Sequence, residues 1–242
     1  MEHQVEFYNA IWVLVSQVAL GFMAIPLLLS FKYMKFVNRK LKFFLLYLAI
    51  TLLLSVGEQL VYKLMLHFYE IKNPFFTQFG MNDTNFYQIL FIIKDFILLG
   101  LFFYYLLLPA KYSKIILYLS LVLIFISIIN YFFIDGINAF SPFNSSAQAL
   151  FTFTLPIVYM WILYHSDAKV PLYKNPYFWI NLGLIIPNLL GLFLYFAGDK
   201  ISNTDYLLFI KIMIGRSIIE MISQILFTIG FSYGRYAQFL RQ

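Results

Sequence analysis

The sequence has no cysteine, which excludes disulfides, thiolate metal sites, iron–sulfur ligation and thiol catalysis together and leaves the redox compartment undetermined. Histidine is nearly missing too: 3 residues cannot build an imidazole-rich metal cage. Charge is scarce, with Asp, Glu, Lys and Arg at 12%, about half of the roughly 25% usual in a soluble domain. What fills the space is apolar. Hydrophobic residues make up 62% of 242, aromatics 21% with 29 Phe and 19 Tyr, and the mean hydropathy is +0.80. A single core of this size cannot hide that much apolar surface from water, so a bilayer has to take the remainder.

A helix rises about 1.5 Å per residue and hydrocarbon is about 30 Å thick, so a span needs roughly 20 apolar residues. Seven such runs are predicted, at 9–31, 41–68, 86–108, 115–134, 148–165, 177–197 and 206–231. The fold expected is all-α, one seven-helix transmembrane bundle over residues 1–242 with no further domain. Turn chemistry separates the runs: Lys72-Asn73-Pro74, Pro109, Asp135-Gly136, Pro171, Asn175-Pro176 and Gly198-Asp199. Glu2 and Glu6 precede the first run, which lacks a small-residue cleavage site, so it reads as a retained span and not as a removable signal peptide.

The net charge of +6 is distributed unevenly. Lys32, Lys35, Arg39, Lys40, Lys42, Lys111, Lys114, Lys169, Lys174, Arg235 and Arg241 fall on one side of the predicted spans, against Lys72 and Lys200 on the other. Positive residues near span ends are retained in the cytoplasm, so the N-terminus is expected outside and the C-terminus inside, across a cytoplasmic membrane. The same placement accounts for the basic pI of about 9.3 through membrane lipid, and nucleic acid is not expected. The triplets Asn82-Asp83-Thr84 and Asn144-Ser145-Ser146 match glycosylation acceptors and fall in expected outer loops.

A charge inside the hydrocarbon costs about 2.5 to 3.5 kcal/mol on insertion scales and needs a partner or a wet cavity. Glu58, Lys94, Asp95, Lys211, Arg216 and Glu220 all lie inside predicted spans. Arg216, Glu220 and Ser223 share a helical face, as do Ser55, Glu58 and Tyr62, while Asn181, Asn188 and Tyr195 recur at seven-residue spacing. Glu58, Asp95 and Arg216 each sit about eight to ten residues from the outer end of their span, roughly 12 to 15 Å down, which suggests one layer with Arg216 pairing to Glu58, Asp95 or both, and to Glu220 one turn away. The expected ligand-binding or structural polar layer is therefore Glu58, Gln59, Asp95, Asn188, Lys211, Arg216 and Glu220, reached between spans 2, 3, 6 and 7. Pro187, with Gly183 and Gly191 around it, is the expected hinge. His3 with Glu6 and His67 with Glu70 read as surface pairs, and His165 as an interfacial residue. No Ser, His and Asp converge at one depth, so no catalytic residue, metal or cofactor is expected.

The segment Lys174-Asn175-Pro176-Tyr177-Phe178-Trp179, leading into Asn181 and Gly183, resembles small stand-alone seven-helix membrane proteins of bacteria related to histidine-kinase-associated sensor modules. The resemblance covers spans 5 to 7 and implies a sensory or accessory role with a separate signalling kinase, or another membrane subunit, as partner. Microbial rhodopsins are a second resemblance, through seven spans, Lys211 in the last and Asp95 in the third. This sequence departs from them in having Leu207 four residues before Lys211 and no Arg three before Asp95, so retinal is not expected. The reading is a sensory or signalling-accessory protein with an intramembrane pocket for a small amphipathic or acidic ligand. The alternatives are a transporter or channel using the Glu58, Asp95 and Arg216 layer, a structural subunit of a larger membrane complex, and an intramembrane enzyme acting on lipid.

Overall fold

The computed structural model describes residues 2–33, 35, 37–69, 84–108, 113–136, 141–165 and 171–240. Among them there is no strand. The helices are α1 (Glu2–Lys32), α2 (Arg39–Tyr69), α3 (Gln88–Leu106), α4 (Ser113–Asp135), α5 (Pro142–Tyr164), α6 (Pro176–Thr204) and α7 (Tyr206–Ser232). All seven are long and apolar enough to cross a membrane. The breaks expected at 72–74 and at Pro109, Asn82 and Asp83 of the first triplet, and the Glu70 partner of His67 lie outside the described residues.

Helix starts follow their caps. Asn175 accepts the Tyr177 amide at 2.9 Å with Pro176 in the first helical position, and Asp205 accepts the Leu208 amide at 2.9 Å to open α7. Asn38 accepts the Leu41 amide at 3.0 Å in the same way for α2. Two expected boundaries are corrected by such signals. The sixth helix does not stop at Gly198-Asp199 but runs on to Thr204, because one interior glycine costs only about 1 kcal/mol while Asp205 supplies the cap for α7. The fifth begins at Pro142 and not at Gln148: the Ser141 hydroxyl accepts the Asn144 amide at 3.3 Å, and Pro142 follows it. This start places Asn144 inside a helix, fully buried, where its side-chain amide donates to the Ser127 carbonyl at 3.2 Å. Asn144 is therefore not a glycosylation acceptor, which needs an exposed loop.

The helices group into two compact units, one of residues 1–45 and 149–242 and the other of residues 46–148. In the first unit α7 is central. Tyr8 meets Lys211 and Ser16 meets Ser217, in rising order on both chains, so α1 and α7 run parallel. Against α6 the order reverses, Gly183 meeting Phe227 and Ile180 meeting Gly230, so those two are antiparallel. Parallel first and last helices place the N-terminus of α1 and the C-terminus of α7 at opposite ends of this unit. Small residues set the α6–α7 approach: a Cβ on Gly183 would lie 2.6 Å from the Phe227 ring. Phe44, at the start of α2, packs edge-on to Phe227 with ring centroids 5.0 Å apart.

In the second unit α2 and α3 are antiparallel, since Glu58 meets Thr84 while Thr51 meets Lys94. Two stretches depart from α geometry. A π-helical turn occupies Asp95–Leu99 in the middle of α3, and a second, Asn130–Asp135, ends α4 at Gly136, whose φ of 85° only glycine adopts without strain.

Candidate functional site

Among the described residues, polar side chains within the membrane-length helices form two clusters, one in each unit. The cluster of the second unit centres on Lys94 and Asp95, each 7% exposed. Consecutive residues do not face each other on a regular α-helix. Both residues hold ordinary helical dihedrals, so the contact is made by the long Lys94 side chain reaching round the helix, and the π-helical turn begins only at Asp95. The Lys94 ammonium lies 2.7 Å from Asp95 Oδ1, donates to Thr51 Oγ1 at 2.8 Å and rests 4.5 Å from the centre of the Tyr47 ring. The ammonium is thus compensated by a carboxylate, a hydroxyl and a ring face. The other carboxylate oxygen accepts from the Gln148 side-chain amide, and the Tyr47 phenol hydrogen-bonds the same carboxylate. The pair is thus held from α2, α3 and α5, the condition under which a buried ion pair is tolerated in low dielectric.

A second network continues from it along the parallel α3–α5 pairing. Gln88 accepts the Ser141 amide at 3.1 Å and donates to the Ser145 hydroxyl, two turns before Asp95 meets Gln148. Asn130, in the π turn of α4, donates to Ser141 Oγ at 2.9 Å and to Asp135. The matching seven-residue spacings, Gln88 to Asp95 and Ser141 to Gln148, were a legible signal for this pairing, hidden by the later start expected for the fifth span. Tyr47 and Gln148 carried no other mark.

Glu58 and Asp95 do not share a layer. Glu58 accepts from Thr84 at 3.1 Å, whereas Asp95 sits level with Tyr47 and Thr51, seven residues and about 10 Å away along α2. Gln59 is half-buried beside Glu58 on the same helix.

The cluster of the first unit is built on α7. Arg216 Nε donates to Glu220 Oε1 at 3.1 Å, one turn on, and the Tyr195 phenol of α6 faces the same guanidinium. Arg216 is ten residues beyond Tyr206, about 15 Å along the axis, yet its side chain is 32% exposed and that of Glu220 31%. Asn188 accepts from Thr152 of α5 at 2.7 Å and donates to the Leu184 carbonyl at 2.7 Å. The helix α6 continues unbroken through Pro187. Lys211 does not join Arg216: five residues apart on a straight helix turns them about 140° from each other, and Lys211 is exposed over the Tyr8 ring of α1 at 4.9 Å. Arg216 belongs to one unit, with Glu220 and Tyr195, and Glu58 and Asp95 to the other, with Thr84, Lys94 and Gln148.

Among the described residues no three His, Asp or Glu come together as a metal site. His165 is exposed, with Nδ1 2.9 Å from the Trp161 carbonyl and its ring against Trp161.

Seven helices long and apolar enough to span a membrane, with ion pairs sequestered inside them, are the make-up of a multi-pass membrane protein. No protein-family model, curated protein or solved structure matches the chain.

Proposed function

We propose that this chain is a sensory or signalling-accessory protein of the bacterial cytoplasmic membrane, N-terminus outside and C-terminus inside, that takes a small amphipathic acid at Arg216. The observation that carries the reading is the Arg216–Glu220 pair, about a third exposed although it lies ten residues inside an apolar helix. A charged pair at that depth is neither paired off in a dry core nor in bulk water, so a polar group meets it. The guanidinium is engaged by Glu220 and Tyr195, and its five N–H groups leave further donors in a planar fork that suits a carboxylate or phosphate. The helix on either side of it is apolar, with Ile212, Met213, Ile214, Ile218 and Ile219, which suits a hydrocarbon tail. The Lys94–Asp95 cluster plays a different part in this reading: its two charges pair with each other and reach Thr51 and Gln148, so it fixes the register of α2, α3 and α5.

The reading is tested with the purified full chain in detergent, using dodecanoate and dodecanol as probes of equal length. Dodecanoate should raise the thermal midpoint in a concentration-dependent way, dodecanol should not, and Arg216→Gln should abolish the difference. Equal response to the two probes, or a dodecanoate response unchanged in Arg216→Gln, refutes binding at this site.

A further inference from the structure

The end of the first unit where α1 stops, α2 and α6 start and α7 stops gathers Lys32, Lys35, Arg39, Lys40, Lys42, Lys174 and Arg235. The described residues of these segments include no Asp or Glu, and the Lys94–Asp95 and Arg216–Glu220 salt bridges lie elsewhere, inside the spans. Two of the bases are held in place. The Lys40 ammonium lies 5.9 Å from the centre of the Tyr177 ring, and Lys174 5.8 Å from that of Tyr236. The frame beneath them is fixed by buried polar bonds: the Asn38 amide donates to the Tyr177 hydroxyl at 2.8 Å while its carbonyl oxygen caps α2, and buried Asn175 caps α6. Two helix N-termini, those of α2 and α6, therefore add their positive dipole ends to the same place.

Next to these bases the surface is apolar and aromatic. Leu172 and Tyr173 are exposed, and Trp179 Nε1 donates to the Tyr173 carbonyl at 2.8 Å. Trp and Tyr with a polar tip at the end of a membrane-length helix mark the headgroup level of a bilayer. We infer that Lys40 and Lys174, with Arg235 beside Tyr236, form a headgroup site for an anionic phospholipid, the phosphate held by the two ring-supported ammonium groups and the acyl chains running along the exposed side chains toward the hydrocarbon. The occupant is a lipid and not an acidic protein because the bases sit at the membrane-facing ends of four spans, with apolar surface directly beneath them. This inference stands on residues separate from Arg216 and does not depend on the ligand proposed there.

The test uses the full chain in nanodiscs of phosphatidylcholine doped with phosphatidylglycerol of the same acyl chains, reading bound lipid by native mass spectrometry after release. Wild type should retain phosphatidylglycerol over phosphatidylcholine, and Lys40→Gln/Lys174→Gln should lose that preference by up to roughly 30-fold, the factor expected for two basic residues near a headgroup. Lys40→Arg/Lys174→Arg should keep it, and so should Lys200→Gln, which removes an exposed charge at the other end of α6. No preference in wild type overturns the site. Equal loss in Lys200→Gln also overturns it, since that would be diffuse attraction. If the Gln pair does not fold, a phosphatidylglycerol preference absent from the Arg pair refutes the inference just as well.

Discussion

Asp95→Ala removes the partner of a lysine that is 7% exposed and leaves its ammonium uncompensated among Tyr47, Phe91 and Thr51. Breaking a buried pair in this way costs about 3 to 5 kcal/mol, mostly through the charge left behind. For a chain of this length that is a fall of roughly 6 to 20 °C in thermal midpoint. Lys94→Met should cost a similar amount by stranding the carboxylate. The informative variant is the double one, Lys94→Met/Asp95→Leu, which removes both charges. Thr51 stays satisfied there, because its hydroxyl also donates to the Tyr47 carbonyl at 2.7 Å. The Gln148 amide and the Tyr47 phenol lose their bonds to the carboxylate there, a penalty of about 1 to 3 kcal/mol that Asp95→Ala carries as well. The double variant should thus be more stable than either single one, a coupling energy that differential scanning fluorimetry in detergent reads directly as a double-mutant cycle. Two results refute the reasoning: single variants within a degree or two of the exposed control Lys200→Ala, or a double variant that falls by the sum of the two.

Gly183→Ala should destabilise by about 1 to 3 kcal/mol because its Cβ meets the Phe227 ring at 2.6 Å, whereas Gly215→Ala, with open space around it, should be neutral or gain up to about 1 kcal/mol; equal midpoints would contradict the α6–α7 approach. Ser141→Ala removes the cap of α5 and the acceptor of Asn130, and should cost about 1 kcal/mol or more, seen as a lower midpoint than Ser202→Ala gives. A reporter active only in the cytoplasm, fused after Gln242, should give signal, and a periplasm-active reporter working at that position instead would reverse the proposed orientation.

The sequence by itself determined the all-helical class and the number of membrane-length helices, since both follow from the length of apolar runs, a property that needs no neighbour. It also located the charges that had to be accounted for inside the spans. Tertiary structure decided how those charges are satisfied. Lys94 and Asp95 are adjacent in sequence, where side chains leave a helix about 100° apart, and the contacts of Thr51, Tyr47 and Gln148 around them are what set them as a pair. Arg216 and Lys211 look like one basic pair in the linear sequence, but five residues of helix turn them toward different neighbours, Tyr195 and Tyr8. Glu58 and Asp95 looked level when counted from estimated span ends, and the register of α2 against α3 separates them by two turns. Periodicity fixes which face of a helix is polar, but the height at which two helices pair and the side chain that reaches across are set by packing, where a cap such as Ser141 or a close approach such as Gly183 to Phe227 shifts the whole register.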